Sequence, residues 1–226
     1  MIKLIEESFM RLYKYIKVFA NKTQMEVKQL YEDKRILVNG CLLPFSYNIK
    51  DIDIVTLDNK VVEREDFVYY LYYKPKEILS DISSSCNSYQ FHINTKIKLM
   101  PAGRLDKDSE GLMILTNDGS FINRLSKANI EKEYIVTLKN KVSDTFLQNV
   151  VKPITIKSKT TKEMKAYKLD DYTIKLILFD GRYHQIRRAV IKSGNSVINL
   201  KRIRIGKYLL SDMKENELKP IKTPTI

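Results

Sequence analysis

Apolar side chains recur at helical spacing near the start of the chain. Phe9, Leu12, Tyr13, Ile16, Phe19 and Ala20 share this pattern, with Arg11, Lys14 and Lys17 on the remaining surface. Thr23 and Glu26 have the spacing of a capping box and predict a second helix through Val27, Leu30 and Tyr31. Two apolar runs, residues 36–38 and 41–43, flank Asn39-Gly40, a pair that tolerates the positive φ needed at both corners of a tight turn, so a hairpin is predicted. A strand over residues 52–57 ends at Asp58-Asn59, and Val61-Val62 follows. Residues 63–66 are all charged and mark the boundary, giving domains 1–64 and 65–226.

Beyond the boundary, residues 67–73 are continuously apolar and aromatic, as in a strand covered on both faces, and Lys74-Pro75 stops it. The serine-rich stretch 80–88 predicts a surface loop. A strand is expected at 112–115, closed by Asn117-Asp118-Gly119, and a short helix at 121–126. Strands follow at 134–138 and 172–179, the latter with Tyr172, Ile174, Leu176 and Leu178 on one face. Asp180-Gly181 turns the chain into a helix at 184–192, with Gly194 as its C-terminal cap. Residues 197–205 form a last strand carrying Lys201, Arg202 and Arg204. Strands and helices without strict βαβ alternation predict an α+β fold with a mixed, largely antiparallel sheet.

Composition narrows the function. Of 226 residues, 40 are Lys or Arg and 27 Asp or Glu, a formal charge of +13, and the 43% hydrophobic share excludes a disordered polycation. Such a charge points to a polyanion. Nucleic acid is favoured over membrane because no strongly cationic helix with a fully apolar face stands out. No apolar run approaches the roughly 20 residues of a membrane span, and Glu6 and Glu7 interrupt what a signal peptide would keep apolar. Cys41 and Cys86 make no disulfide framework, so a reducing cytoplasm is expected. Neither a glycine-rich phosphate loop nor zinc-ligand spacing occurs. Asp106, Asp108, Glu110 and Gly111 mimic the start of a calcium loop, but Asn117 stands where a bidentate Glu is required.

The segment Gly103-Arg104-Leu105-Asp106-Lys107-Asp108-Ser109-Glu110-Gly111-Leu112, continued by Leu115-Thr116-Asn117-Asp118-Gly119, resembles the signature of RNA pseudouridine synthases of the RsuA type. Lys132-Glu133-Tyr134-Ile135-Val136 is similar to that family's second motif. Gly181-Arg182-Tyr183-His184-Gln185-Ile186-Arg187-Arg188 is similar to the third, and Arg204-Ile205-Gly206 to its closing stretch. The front of the chain, from Met10-Arg11-Leu12 to Val38-Asn39-Gly40, resembles an S4 RNA-binding domain.

This resemblance implies isomerisation of uridine to pseudouridine without a cofactor or metal. Asp106 is then the carboxylate that acts on the sugar as nucleophile or base. Arg187 is the cation that keeps it ionised in a dry pocket, and Tyr134 the aromatic that stacks on uracil. Arg104 is expected to hold the extruded nucleotide and Arg188 a phosphate. Arg11, Lys14, Lys17, Lys201, Arg202 and Arg204 are further phosphate candidates. The implied partner is ribosomal RNA or a preribosomal particle, and the protein a monomer. The Gly-Arg-Tyr-His-Gln-Ile-Arg segment looks more like enzymes acting on 16S than on 23S rRNA. Competing readings are a 23S enzyme, a non-catalytic S4-type assembly factor, and a metal-dependent nuclease built on Asp106, Asp108 and Glu110. The chain departs from the family pattern at Glu77, where glycine is usual, at Ser109 for threonine, at Ala189 for methionine, and at Tyr13 for an S4 aspartate.

Overall fold

A computed structural model describes residues 10–64, 66–83, 85–95 and 97–224. Phe9, Glu6, Glu7 and Glu65, used in the sequence reading, lie outside them. The chain divides into two compact units, Met1–Asp66 and Phe67–Ile226. Among the described residues no helix is long and apolar enough to cross a membrane.

In the first unit, strand β1 (Met10–Arg11) leads into helix α1 (Leu12–Phe19) and is followed by α2 (Gln24–Glu32), β2 (Ile36–Val38), β3 (Asn48–Ile49), β4 (Val55–Leu57) and β5 (Lys60–Val61). Helix α1 buries Leu12, Tyr15 and Ile16, and α2 buries Val27 and Leu30. The Thr23–Glu26 capping box forms in full: the Glu26 N–H donates to Thr23 Oγ1 at 3.3 Å, and the Thr23 N–H donates to Glu26 at 2.7 Å. Arg11 is not on the helix surface as expected. It sits in β1, opposite Asn48, and takes the N-cap position of α1.

The expected hairpin is only a turn. Asn39 and Gly40 adopt φ of 52° and 77°, and Val38 and Cys41 exchange backbone hydrogen bonds of 2.8 and 3.0 Å. Pairing stops there because Pro44 has no N–H to extend a return strand. Strand β2 pairs instead with β4, and Asn39 clamps the two by accepting the Ile54 N–H on its side chain and donating its own N–H to the Ile54 carbonyl, both at 2.8 Å. The strand predicted at 52–57 starts late, since a turn occupies Lys50–Asp53 and Ile52 points to solvent.

In the second unit, the described residues form a nine-stranded sheet. Its elements are β6 (Tyr69–Lys74), α3 (Tyr89–His92), β7 (Met100–Pro101), β8 (Glu110–Thr116), α4 (Gly119–Lys127), β9 (Lys132–Leu138), α5 (Asp144–Val150), the two-stranded β10 (Thr155–Ile156) and β11 (Lys159–Thr160), β12 (Lys165–Lys168), β13 (Thr173–Leu178), α6 (Gln185–Lys192), β14 (Val197–Ile205), β15 (Tyr208–Leu209) and β16 (Leu218–Ile221). The main strand order is β12-β13-β9-β14-β8-β6-β16, with β7 and β15 added on β8 and β14. Only the β14–β8 contact is parallel among these pairings, so the α+β expectation holds. One face packs Tyr134, Val136, Leu138, Ile174, Leu176 and Leu200 with the buried sides of α5 and α6. The other, over β6 and β8, packs Tyr69, Leu71, Tyr73 and Leu112 against Phe121 and Leu125 of α4.

Helix α4 starts two residues earlier than predicted because the Asp118 side chain accepts from the Ser120 and Phe121 N–H groups. Helix α5, β12 and the β10–β11 hairpin were not foreseen; the hairpin turns at Lys157 and Ser158, which take positive φ without glycine or asparagine. The 80–88 loop is anchored rather than simply superficial. Ser80 and Ser88 are buried, and Ser88 accepts the Gln90 N–H to cap α3. Glu77 takes φ of 62°, so the turn keeps the left-handed corner that glycine would supply.

Burial pushes the phenols of Tyr69, Tyr72, Tyr73 and Tyr89 upward, with the Asp118 and Glu110 carboxylates adding to the effect at Tyr69 and Tyr73. Burial also pulls the Lys74 ammonium down to about 8. The unfolded chain holds more protons on Lys74 between pH 8 and its ordinary value, so stability rises with pH there. Above about pH 10 the unfolded tyrosines ionise while the folded ones stay neutral, and stability falls. The loss deepens with each of the four unfolded phenols that ionises. Urea midpoints of this unit are expected to climb to about pH 10 and then drop steeply.

Candidate active site

The segment 102–109 connects β7 to β8 and carries Asp106, whose carbonyl accepts the Ser109 N–H at 3.1 Å to close a turn. Its shape is fixed by three neighbours. Ser80 Oγ donates to the Leu105 carbonyl at 2.8 Å and accepts the Leu105 N–H at 3.1 Å. The Lys74 ammonium, fully buried at the end of β6, donates to the carbonyls of Pro75 (2.8 Å), Ser109 (2.7 Å) and Lys107 (3.3 Å). Gly111 lets β8 meet β14: a Cβ there would fall on the Arg202 carbonyl oxygen and lie 2.7 Å from its nitrogen.

Helix α6 supplies the opposing cation. Arg187 Nη2 is 2.9 Å from an Asp108 oxygen and donates to Ser109 Oγ at 3.1 Å. Its Nε is buried, makes no hydrogen bond among the described residues, and lies 3.9 Å from Oδ2 of Asp106. The other Asp106 oxygen faces Nε2 of His184 at 3.4 Å. His184 precedes α6 in a left-handed conformation, φ 52°, an uncommon choice for a residue with a Cβ. Asp106 itself is 31% exposed, so one side of the carboxylate remains open to the cavity.

That cavity has a volume of about 810 Å³ and is lined by Asp106, Arg104, Tyr134, His184, Arg187 and Arg202, with Leu105, Leu178, Ile186 and Leu200 as apolar wall. Its size suits a nucleoside with room to spare. Tyr134 projects from β9 into the cavity with its ring buried. Lys132, two residues before it, has its ammonium pulled below the ordinary lysine range by burial and by the Arg202 charge.

Asp106, Tyr134, Arg187 and Arg104 are therefore brought to one cavity. Arg188 is not in its lining; it is exposed on α6, 5.7 Å from the ring centroid of Tyr183. Arg11, Lys14 and Lys17 belong to the first unit, where Arg11 and Lys17 are exposed and Lys14 half-buried.

Arg202 and Arg204 correct the sequence reading. Arg202 is 2% exposed and faces inward from β14. It donates to the Leu112 carbonyl at 2.6 Å, to Gly103 at 3.0 Å, and at 3.5 Å to both the Arg104 carbonyl and the Tyr134 hydroxyl. Its donors are directed at the protein, leaving it unsuited to a phosphate. Arg204 Nη2 is bound between Glu131 and Glu133, at 2.8 and 2.7 Å. Lys201 lies 4.9 Å from the centroid of the Tyr73 ring. Buried carbonyls require a donor, and Arg202 fills that need because segment 101–106 folds over β14, a long-range fact that strand periodicity does not carry. Lys74, Ser80 and His184 are site residues that sequence reasoning missed, although His184 stands inside a quoted motif.

The acidic trio does not converge. Glu110 is buried, accepting from Tyr73 at 2.6 Å and from Asn199 at 2.9 Å, whereas Asp108 meets Arg187. Among the described residues no group of three or more His, Cys, Asp or Glu side chains is arranged to hold a metal ion.

The sequence pattern of the family described as RNA pseudouridylate synthase matches residues 68–192. An uncharacterized RNA pseudouridine synthase of Aquifex aeolicus (strain VF5) is 34% identical, over 91% of this chain and 90% of its own. The dual-specificity RNA pseudouridine synthase RluF of Shigella flexneri is 31% identical, over 95% of this chain and 76% of its own. The ribosomal small subunit pseudouridine synthase A of Haemophilus influenzae is also 31% identical, over 94% and 96%. A crystal structure of a pseudouridylate synthase superposes with a TM-score of 0.68 at 28% identity, covering 94% of this chain and 96% of its own.

Proposed function

The chain belongs to the RNA pseudouridine synthases of the RsuA type, and from that premise we propose that it isomerises a uridine of ribosomal RNA, in 16S rRNA, with Asp106 as the group that acts on the sugar. The observation that carries this reading is the facing of Asp106 and Arg187 across a cavity that also holds Tyr134.

In the reaction the bond from C1′ to N1 breaks, uracil turns, C5 bonds to C1′, and the C5 proton is lost while N1 gains one, so the formula is unchanged. Asp106 serves as nucleophile at C1′ or as base at C2′; a deuterium isotope effect at C2′ selects the second. Arg187, held in place by Asp108 and Ser109, keeps the carboxylate ionised once RNA has displaced water. Tyr134 stacks on the uracil, and the Arg202 guanidinium fixes its hydroxyl. The target must leave its stack to reach Asp106, at a cost of a few kcal/mol, least in looped RNA.

The first unit acts as an S4-like RNA-binding domain spanning 1–64, joined to a catalytic domain over 65–226. Arg11, Lys14 and Lys17, with Arg104 and Arg188, neutralise phosphates. For about five such contacts, affinity is expected to fall about 10²-fold between 50 and 200 mM salt; a flat titration contradicts this set. The target is tested by incubating the protein with transcribed 16S and 23S rRNA and mapping pseudouridine by carbodiimide treatment and primer extension. A stop in 16S alone is expected. A stop in 23S alone moves the target to the large subunit, and none in either removes the reading.

A further inference from the structure

The mouth of the cavity carries an aromatic pair that the chemistry at Asp106 does not use. Tyr183 lines the cavity yet is 60% exposed. Its ring lies flat on that of His184, with centroids 3.9 Å apart and planes 16° apart. Two cations from separate elements lie over the ring: Lys157 Nζ, in the β10–β11 turn, is 5.8 Å from its centroid, and the Arg188 guanidinium, on α6, is 5.7 Å away. His184 in turn reaches Asp106 at 3.4 Å. A line of contacts thus runs from exposed cations through a stacked pair to the reacting carboxylate.

We propose that Tyr183, with Lys157 and Arg188, forms a second nucleotide subsite, stacking the base next in the RNA chain to the target uridine while the cations meet the adjoining phosphates. This rests on the reading of Asp106 as the group acting on that uridine. Extruding a nucleotide leaves its neighbour without one of its stacking partners. An exposed aromatic ring replaces that stack for any base, because every base has a π-face, and nearby cations hold the backbone in register. The left-handed backbone at His184 presents the Tyr183–His184 pair at the cavity rim, where a phosphate contact alone would need no ring.

The chain contains no tryptophan, so Tyr183→Trp places a single fluorescent reporter at the subsite. Its emission is expected to be quenched by the dinucleotide uridylyl-uridine at about tenfold lower concentration than by uridine monophosphate. On 16S rRNA, Tyr183→Ala is expected to raise KM about tenfold, with most of the loss in KM rather than kcat, and Tyr183→Trp to restore it. Equal quenching by the two ligands, or a Tyr183→Ala KM within about twofold of wild type, overturns the subsite. The titration needs no turnover, so a protein inactive on rRNA defeats the reading of Asp106 while the subsite still stands or falls on quenching.

Discussion

Asp106→Asn is expected to lower pseudouridine formation by about 10³-fold or more, with RNA affinity and melting temperature near those of the parent protein. The amide matches the carboxylate in shape but has neither its charge nor its reactive lone pairs. The rest of the site should survive the change. Arg187 keeps its 2.9 Å contact with Asp108 and its bond to Ser109, while Leu105 stays clamped by Ser80. Nucleoside analysis of treated rRNA, paired with a filter-binding titration, separates lost chemistry from lost binding. Retained activity would move the reaction away from Asp106 altogether.

The largest effect on stability is expected at Arg202→Met. Methionine fills much of the volume but removes the buried donor of the Leu112 carbonyl, at 2.6 Å, and that of the half-exposed Gly103 carbonyl, at 3.0 Å, which water can replace. An unsatisfied buried acceptor costs about 1–3 kcal/mol, which at Leu112 alone gives a drop in melting temperature of about 2–12 °C. Activity should also fall, because Tyr134 and the backbone at 103–104 lose their common anchor. A burial argument cuts the other way: removing a buried charge sometimes stabilises a protein. Melting above the parent would show that the desolvation of Arg202 outweighs its bonds.

What the sequence revealed, and what it hid, divides along local and long-range lines. The Thr23–Glu26 cap, the Asn39-Gly40 corner and the alternation of Ile174, Leu176 and Leu178 depend on neighbours along the chain and each formed, whereas Tyr172 lies outside β13 and is 44% exposed. The partner of β2 did not follow from its turn, since β4 competes for the same backbone groups and Pro44 ends the nearer candidate. The site was legible as motifs, and folding brought Asp106, Tyr134 and Arg187 to one cavity. Arg202 and Arg204 were misread because a charged residue on a strand has the same pattern whether it faces water, carbonyls or carboxylates. Only the fold of 101–106 over β14, and the placing of Glu131 and Glu133, decides between them. Lys74 was read as the end of a strand, and its role in holding the carbonyls of 107 and 109 arises from a chain reversal more than thirty residues away.

The central claim is that this cavity isomerises uridine through one carboxylate. The most direct measurement is release of tritium from rRNA labelled at uridine C5, followed together with pseudouridine content and strand length in the presence of chelator. The account predicts one tritium released to water for each pseudouridine formed, on intact strands. Strand scission that requires added metal, or binding with no tritium released, would contradict it.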